Sequence, residues 1–404
     1  MAEVKDFSLY ADKKNNNTDR APEPSYREKI RNHRMLVLFR TVAIVAIAVV
    51  AVAIIYVSWK DKNYTEAVIS KSVKISDASS SKIINLNGHI LMYSKDGVSL
   101  VGSNGDSMWN LTYEMQNPIS RVCEDVVAIG DYNGHLIYVA NTDGEMGEID
   151  TNLPIRDFCV ASQGVVAVIL DDTDITWIYL YDSKGNELAN FKTTMADSGY
   201  PLGVAISPNG ELVCVSYLYP QDGELKTSIA FYNFGSVGQN AIDNYASGYD
   251  YPGVVVPFVH FLNSSTAFAV SDDRIMFFTG SEVPASSSEH LTGNDEIRSI
   301  YYDEDYVGLV FFNSTDKGEY RLEVYNTSGS KVMEKYFDVE YSDIFFDNGQ
   351  IVVYSDSEII IYGVDGADKY QGVFDQTVKA VIPTNIRSRF LMVTENSILT
   401  MDLK

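Results

Sequence analysis

Basic charge is scarce in this chain, and cysteine and histidine are scarcer still. Thirty-one Lys and Arg face 55 Asp and Glu, for a net charge of −24. A surface of that sign repels phosphate backbones and anionic surfaces, which excludes nucleic acid as a partner. Three cysteines, Cys123, Cys159 and Cys214, do not make a disulfide framework, and an odd number leaves at least one thiol unpaired. They fall on β-patterned segments and are expected as buried, inert thiols, with a Cys123–Cys159 bridge as the minor alternative. Of the five histidines, His33 lies in the N-terminal segment, and His89 and His135 each follow an Asn-Gly turn and read as one structural repeat position. His260 and His290 have no ligand-like spacing. A nucleophile elbow, a phosphate loop, a zincin helix and an EF-hand loop are all missing, so no catalytic residue, cofactor or metal is expected. Asp171-Asp172-Thr173-Asp174 and Asp303-Glu304-Asp305 cluster the oxygens that Ca²⁺ takes, but neither completes a loop motif and both read as solvated turns.

Long apolar runs are absent too, with one exception. Residues 41–59 (TVAIVAIAVVAVAIIYVSW) carry no charge from Thr41 to Trp59. As a helix they span about 28 Å, one hydrocarbon core. Forty residues precede the run, and its A-x-A match, Ala51-Val52-Ala53, lies inside it, so it reads as an uncleaved bilayer anchor rather than a secretory signal. Arg27, Lys29, Arg31, Arg34 and Arg40 outnumber Lys60 and Lys62 across the run, which places the N-terminus in the cytoplasm, with Tyr56 and Trp59 at the outer interface. Ser25-Tyr26-Arg27-Glu28 matches a capping box, so the helix is expected to start there and continue into the membrane. The run has no pair of small residues four apart, and an oligomer is not implied. Residues 1–40 hold nine basic and six acidic groups, leaving −27 for 41–404. Three parts follow: a disordered basic cytoplasmic tail (1–34) with one apolar island at 6–10, a juxtamembrane and transmembrane helix (35–59), and an extracytoplasmic domain (60–404).

That domain is built of short β-branched and aromatic runs punctuated by Gly, Asn and Asp. An apolar strand followed by a tight Gly turn recurs at 98–105 (VSLVGSNG), 136–144 (LIYVANTDG), 178–185 (IYLYDSKG), 229–235 (IAFYNFG), 275–280 (IMFFTG), 322–329 (LEVYNTSG) and 359–366 (IIIYGVDG), with a turnless copy at 397–404 (SILTMDLK). The turn glycines stand 37 to 50 residues apart, a period that reads as a β-propeller. The fold class is therefore all-β: an eight-bladed β-propeller, with seven blades as the alternative, after one N-terminal transmembrane helix. The eighth unit has only three strands before the chain ends, and a ring must hide its edges. The unclaimed segment 64–75 (YTEAVISKSVKI) is expected to supply the missing outer strand, with Ala67, Ile69, Val73 and Ile75 on one face. The membrane then attaches on the end bearing the inner-to-second turns, and the other end points away from the cell.

Three further details bear on kinship. Ser103-Asn104-Gly105-Asp106-Ser107-Met108-Trp109, with the isoleucine-rich strands, resembles the quinoprotein-type propeller repeat, but only this copy keeps its Trp, so cofactor binding does not follow. The turn Ser207-Pro208-Asn209-Gly210 resembles the S-P-D-G turn of other propellers. Through residues 6–10, 110–118 (NLTYEMQNP), 230–240 (AFYNFGSVGQN) and 248–255 (GYDYPGVV), nearly the whole chain resembles an uncharacterised family of membrane-anchored proteins from clostridial Gram-positive bacteria. That resemblance implies topology and lineage and no activity.

The expected function is a binding or assembly module of the cell envelope, with a protein or glycan partner. Its surface is expected on the distal end over the third to fifth blades: turns at 171–174 and 219–226, links at 195–201 and 244–252. These gather Asp171, Asp172, Asp174, Tyr200, Tyr219, Asp222, Tyr245, Tyr249 and Tyr251, and tyrosines offer contact area at low entropic cost. The alternative is an extracytoplasmic glycan hydrolase using two carboxylates, for which the sequence nominates no pair.

Overall fold

The computed structural model describes residues 26–60, 62–75, 78–173, 175–194, 199–221, 223–293, 295–313 and 315–404. The tail with its apolar island, the capping residue Ser25, and Asp174 and Asp222 lie outside the described residues. Two compact units meet in the chain at Lys62 and Asn63. The first contains one helix, Tyr26–Lys60, whose stretch His33–Val52 is long and apolar enough to cross a membrane. Its large side chains are exposed within that unit, among them Leu38, Phe39, Ile44 and Ile47.

The second unit is an eight-bladed β-propeller. Eight four-stranded antiparallel sheets form blades 1 to 8 at 82–112, 118–150, 155–193, 200–252, 258–291, 297–337, 343–373 and 380–403. In blades 1 to 7 the four strands follow chain order, and first strands touch the first strands of neighbouring blades, so they form the inner ring. Sheets packed on both sides need apolar residues at every position of their central strands. The second strands of blades 5 and 7, Thr266–Val270 and Gln350–Tyr354, are accordingly buried throughout, while the outer strand Ser107–Thr112 alternates. Asn-Gly turns at 87–88 and 348–349 join inner to second strands with φ of 49° and 80°, and 48° and 70°, the two left-handed positions of a tight hairpin.

Blade 8 holds only three strands of its own. Ala67–Lys74 is its fourth, antiparallel to Ser397–Leu403 in a ladder running from Ala67 opposite Leu403 to Lys74 opposite Ser397. The Thr65 amide donates to the Lys404 carbonyl (2.7 Å), and that of Lys404 to Glu66 (2.8 Å). The expected common face of Ala67, Ile69, Val73 and Ile75 is not what forms. A bulge between Ile69 and Lys71 adds one residue, and because side chains alternate with period two, everything beyond it changes face. Ala67 packs into the core between blades 7 and 8, and Ile75 into the core between blades 8 and 1.

Each blade interface has its own buried cluster. Phe231 with Phe261 and Phe278 joins blades 4 and 5; Ile90 and Met92 with Leu391 and Val393 joins blades 1 and 8. The last of these closes the circle and disposes of the seven-blade alternative. Hydrophobic burial of this kind, about 25 cal/mol per Å² of apolar surface, holds blades that share no hydrogen-bonded ladder.

Candidate functional site

Alternating strand directions give the propeller two ends. The inner-to-second and third-to-outer turns lie on one, here the turn face; the second-to-third turns and the links between blades lie on the other, the link face. On blade 4 the second and third strands, Leu212–Gln221 and Glu224–Asn233, are ten residues each, against seven in the corresponding strands of blade 3. At 3.3 Å per residue the hairpin projects about 10 Å beyond its neighbour on the link face. Lys226 stiffens its base: Nζ bonds Asp250 Oδ2 at 2.6 Å and sits 5.2 Å from the Tyr219 ring centroid. Leu225, near the tip, is 50% exposed.

Beside the hairpin, Arg156 from the start of the inner strand of blade 3 organises residues of three blades. Its Nε meets Asp171 Oδ2 at 2.6 Å, Nη1 donates to the Tyr132 hydroxyl at 2.8 Å, and a hydrogen bond to Tyr200 is the largest influence holding its charge. On the far side of blade 5, still on the link face, a pocket of about 340 Å³ opens between blades 5 and 6. Val255, Pro257, Val270, Ile297 and Ile300 make it apolar, and Asp272 and Glu296 stand at it as exposed carboxylates.

The structure thus brings Asp171, Tyr200 and Tyr219 to one face, with Asp172 exposed at the end of the strand that carries Asp171. It separates the other tyrosines. Residues 245–252 are not a link but the outer strand of blade 4, paired from Tyr232 opposite Tyr245 to Lys226 opposite Pro252. Tyr245 is therefore on the turn face, about 20 Å along the blade from Tyr219. Tyr249 packs on Phe278 and donates its hydroxyl to the Pro284 carbonyl at 3.0 Å, and Tyr251 is buried in the core between blades 4 and 5. Two short 3₁₀ turns, Gly238–Asn240 and Ile242–Asn244, take up the residues that made this stretch look like a loop. Arg156, Tyr132 and the apolar pocket were not singled out from the sequence, because their partners come from different blades, and Lys226 was not because Asp250 meets it only once 245–252 is paired as a strand.

Inner-strand residues form a second, smaller constellation. Arg121 of blade 2 pairs with Asp157 of blade 3 at 2.7 Å. The His260 ring lies 4.0 Å from that of Tyr302, with Phe258 and Phe268 against them. Burial, helped by the Arg121 charge, pushes His260 down to about 3, so its imidazole is neutral at physiological pH. All three cysteines are free, and burial raises each thiol, Cys123 to about 12. His89 and His135 do not share a repeat position. His89 opens the second strand of blade 1 with Nδ1 3.1 Å from the Asn87 carbonyl, whereas His135 precedes the third strand of blade 2 with Nδ1 2.9 Å from that of Thr151. Two similar Asn-Gly pairs belong to different turns of their blades. No group of three or more metal-ligating side chains occurs among the described residues.

Asp347 ends the inner strand of blade 7 with Oδ2 buried and unbonded. Burial, and the nearby Asp303 charge, push its carboxyl up to about 6 against the pull of Asn348 and Arg387. A carboxyl that titrates near 6 folded and near 4 unfolded stabilises fully below about pH 4, and that contribution is gone above about pH 6. Asp347→Asn is therefore expected to raise the melting temperature at pH 7.5 and change it little at pH 4. Thermal melts at the two pH values check this; an equal gain at both would refute the linkage.

The fold and these surfaces define a class: a β-propeller with an elaborated link face, attached in sequence to a membrane-length apolar helix. Within that class the chain belongs to the family of unknown function DUF5711, whose model matches residues 60–403. No curated protein matches the chain. Its fold is similar to that of Sqt1 from Chaetomium thermophilum, at 10% identity and a TM-score of 0.55, over 83% of this chain and 100% of that one. Sqt1 bound to the N-terminus of the ribosomal protein L10 gives 10% identity and a TM-score of 0.51, over 85% of this chain and 100% of that one. BamB from Moraxella catarrhalis is 13% identical over 83% of this chain and 100% of that chain, with a TM-score of 0.47.

Proposed function

We propose that this chain is a membrane-anchored, extracytoplasmic binding or assembly module of a cell envelope, and that its link face receives a segment of a protein partner. The observation that carries the reading is the apolar pocket between blades 5 and 6 on the same face as the projecting hairpin of blade 4. A pocket of about 340 Å³ accepts an aliphatic or aromatic anchor, and Asp272 and Glu296 favour a Lys or Arg beside it in the partner. Tyr219 and Tyr200 supply aromatic contact area on blade 4 of the same face. Sqt1 offers an analogy of fold alone: a propeller that holds a peptide terminus. The helix Tyr26–Lys60 serves as the anchor, with its basic flank in the cytoplasm.

A carboxylate-dependent glycan hydrolase would need two uncommitted carboxylates facing one another. Asp157 is tied to Arg121, and of the neighbours Asp303 and Asp347 only Asp347 has an unbonded oxygen, since Asp303 accepts amides of its own turn at 2.9 and 2.7 Å, so the binding reading stands ahead.

Leu225→Asp at the hairpin and Val255→Arg at the pocket are each expected to lower partner recovery about tenfold or more in affinity capture with the full chain. Ile242→Asp, at the other end of blade 4, should leave recovery unchanged. Equal recovery by all four proteins, with melting temperatures alike, would overturn the assignment.

A further inference from the structure

A pocket of about 480 Å³ opens on the turn face, on the seam where the chain closes on itself. Its walls come from three places: Ser70 and Lys71 of the closing strand, Asn87 and His89 of blade 1, and Asn385 and Arg389 of blade 8. The bulge in the closing strand is what turns Lys71 this way. With regular alternation Lys71 would share the face of Ile69, towards blade 7; with the extra residue it lies opposite Thr400, and its Nζ donates to Asn104 Oδ1 of blade 1. Bulges re-aim side chains beside sites, and this one delivers a cation to the pocket. The second cation, Arg389, is fixed by Nε to Asp402 Oδ1 at 2.7 Å, a bond that is also the main reason the Asp402 carboxyl is held low.

The sign of the site runs against the rest of the molecule. Its lining contains Lys71 and Arg389 and no carboxylate, the nearest one being Asp402 behind Arg389 and Ser70, in a chain of net charge −24. Most of the remaining polar lining is Ser, Thr and Asn, side chains that both donate and accept. We propose that the seam pocket binds a small anionic polyol, a sugar ring or glycerol unit carrying a carboxylate or a phosphate. Lys71 and Arg389 meet the anion through charge-assisted hydrogen bonds, and the amide and hydroxyl groups meet the ligand hydroxyls. The volume lies within the range of small-molecule sites. Because the walls belong to the first strand and to both blades it joins, an occupant bridges the closure, and binding stabilises the ring. This site is independent of the link face, at the opposite end of the propeller.

The test uses the full chain in detergent micelles with four probes at about 10 mM: glucuronate, glycerol 3-phosphate, neutral glucose and inorganic phosphate. Glucuronate or glycerol 3-phosphate is expected to raise the melting temperature and to slow hydrogen exchange at the amides of 67–74, and glucose is not. Which anion protects more separates a uronate source from a phosphate one. Lys71→Glu should weaken that binding at least about tenfold, as should Ser103→Glu, which adds a charge to the wall without removing a contact of the closing strand; Lys317→Glu on blade 6 should not. Protection by glucose equal to that by the anions, equal protection by inorganic phosphate alone, no protection by either anionic polyol, or unchanged affinity in both the Lys71→Glu and Ser103→Glu proteins would overturn the proposal.

Discussion

A chain that begins after Ile75 is expected to melt about 10 °C or more below one that begins at Lys62, or to aggregate outright. The strand it lacks covers the ladder edge of Ser397–Leu403 from one end to the other. Without it, Met401 and Leu403 in the core between blades 7 and 8, and Ile398 in the core between blades 8 and 1, lose the strand that shields them. Exposed apolar area and lost ladder bonds of that extent cost about 7 kcal/mol or more, and each kcal/mol moves the midpoint of a domain this size by about 1.4 °C. The open edge adds a second penalty, because unpaired backbone groups template association with other chains. The chain beginning at Lys62 keeps the whole strand and should stay monomeric. Light scattering and thermal melts on the two proteins decide the matter, and indistinguishable behaviour would contradict the closure.

Much of this architecture was legible because it repeats. Turn glycines at a near-constant period gave the blade count, and the missing fourth strand of the last blade pointed to the unclaimed segment after the apolar helix. What the pattern could not carry was register. Ser70 looks like any other position in YTEAVISKSVKI, yet as the extra residue of a bulge it sends Ile69 and Lys71 to opposite faces. A single residue reverses the side on which every later side chain lies, and no local composition marks it.

The candidate site was legible only in part, for a related reason. Loop-like composition in 234–252 (Gly, Asn, Ser, Asp and Tyr) concealed an outer strand, since outer strands face solvent on one side and tolerate polar residues. Tyr245 and Tyr251 consequently sit at one end of the blade and inside its core, rather than together on the surface. Asp171 and Tyr200 lie together on the link face, but Arg156, which holds them, lies within the strand Ile155–Val160 and shows its role only when blades 2, 3 and 4 are side by side.

The central claim is that a protein partner docks on the link face and not on the turn face. Blade 4 carries its own control, because Leu225 and Ile242 are both exposed, at 50% and 87%, on opposite ends of the same sheet. A photoreactive phenylalanine analogue is placed at one position or the other in the full chain, in cells, and the membrane fraction is irradiated. Reach of only a few ångströms makes an adduct report on direct contact. Adducts from position 225, abolished by Val255→Arg in the same chain, and none from position 242, are the predicted result; adducts from 242 alone, or from both positions equally, would contradict the account.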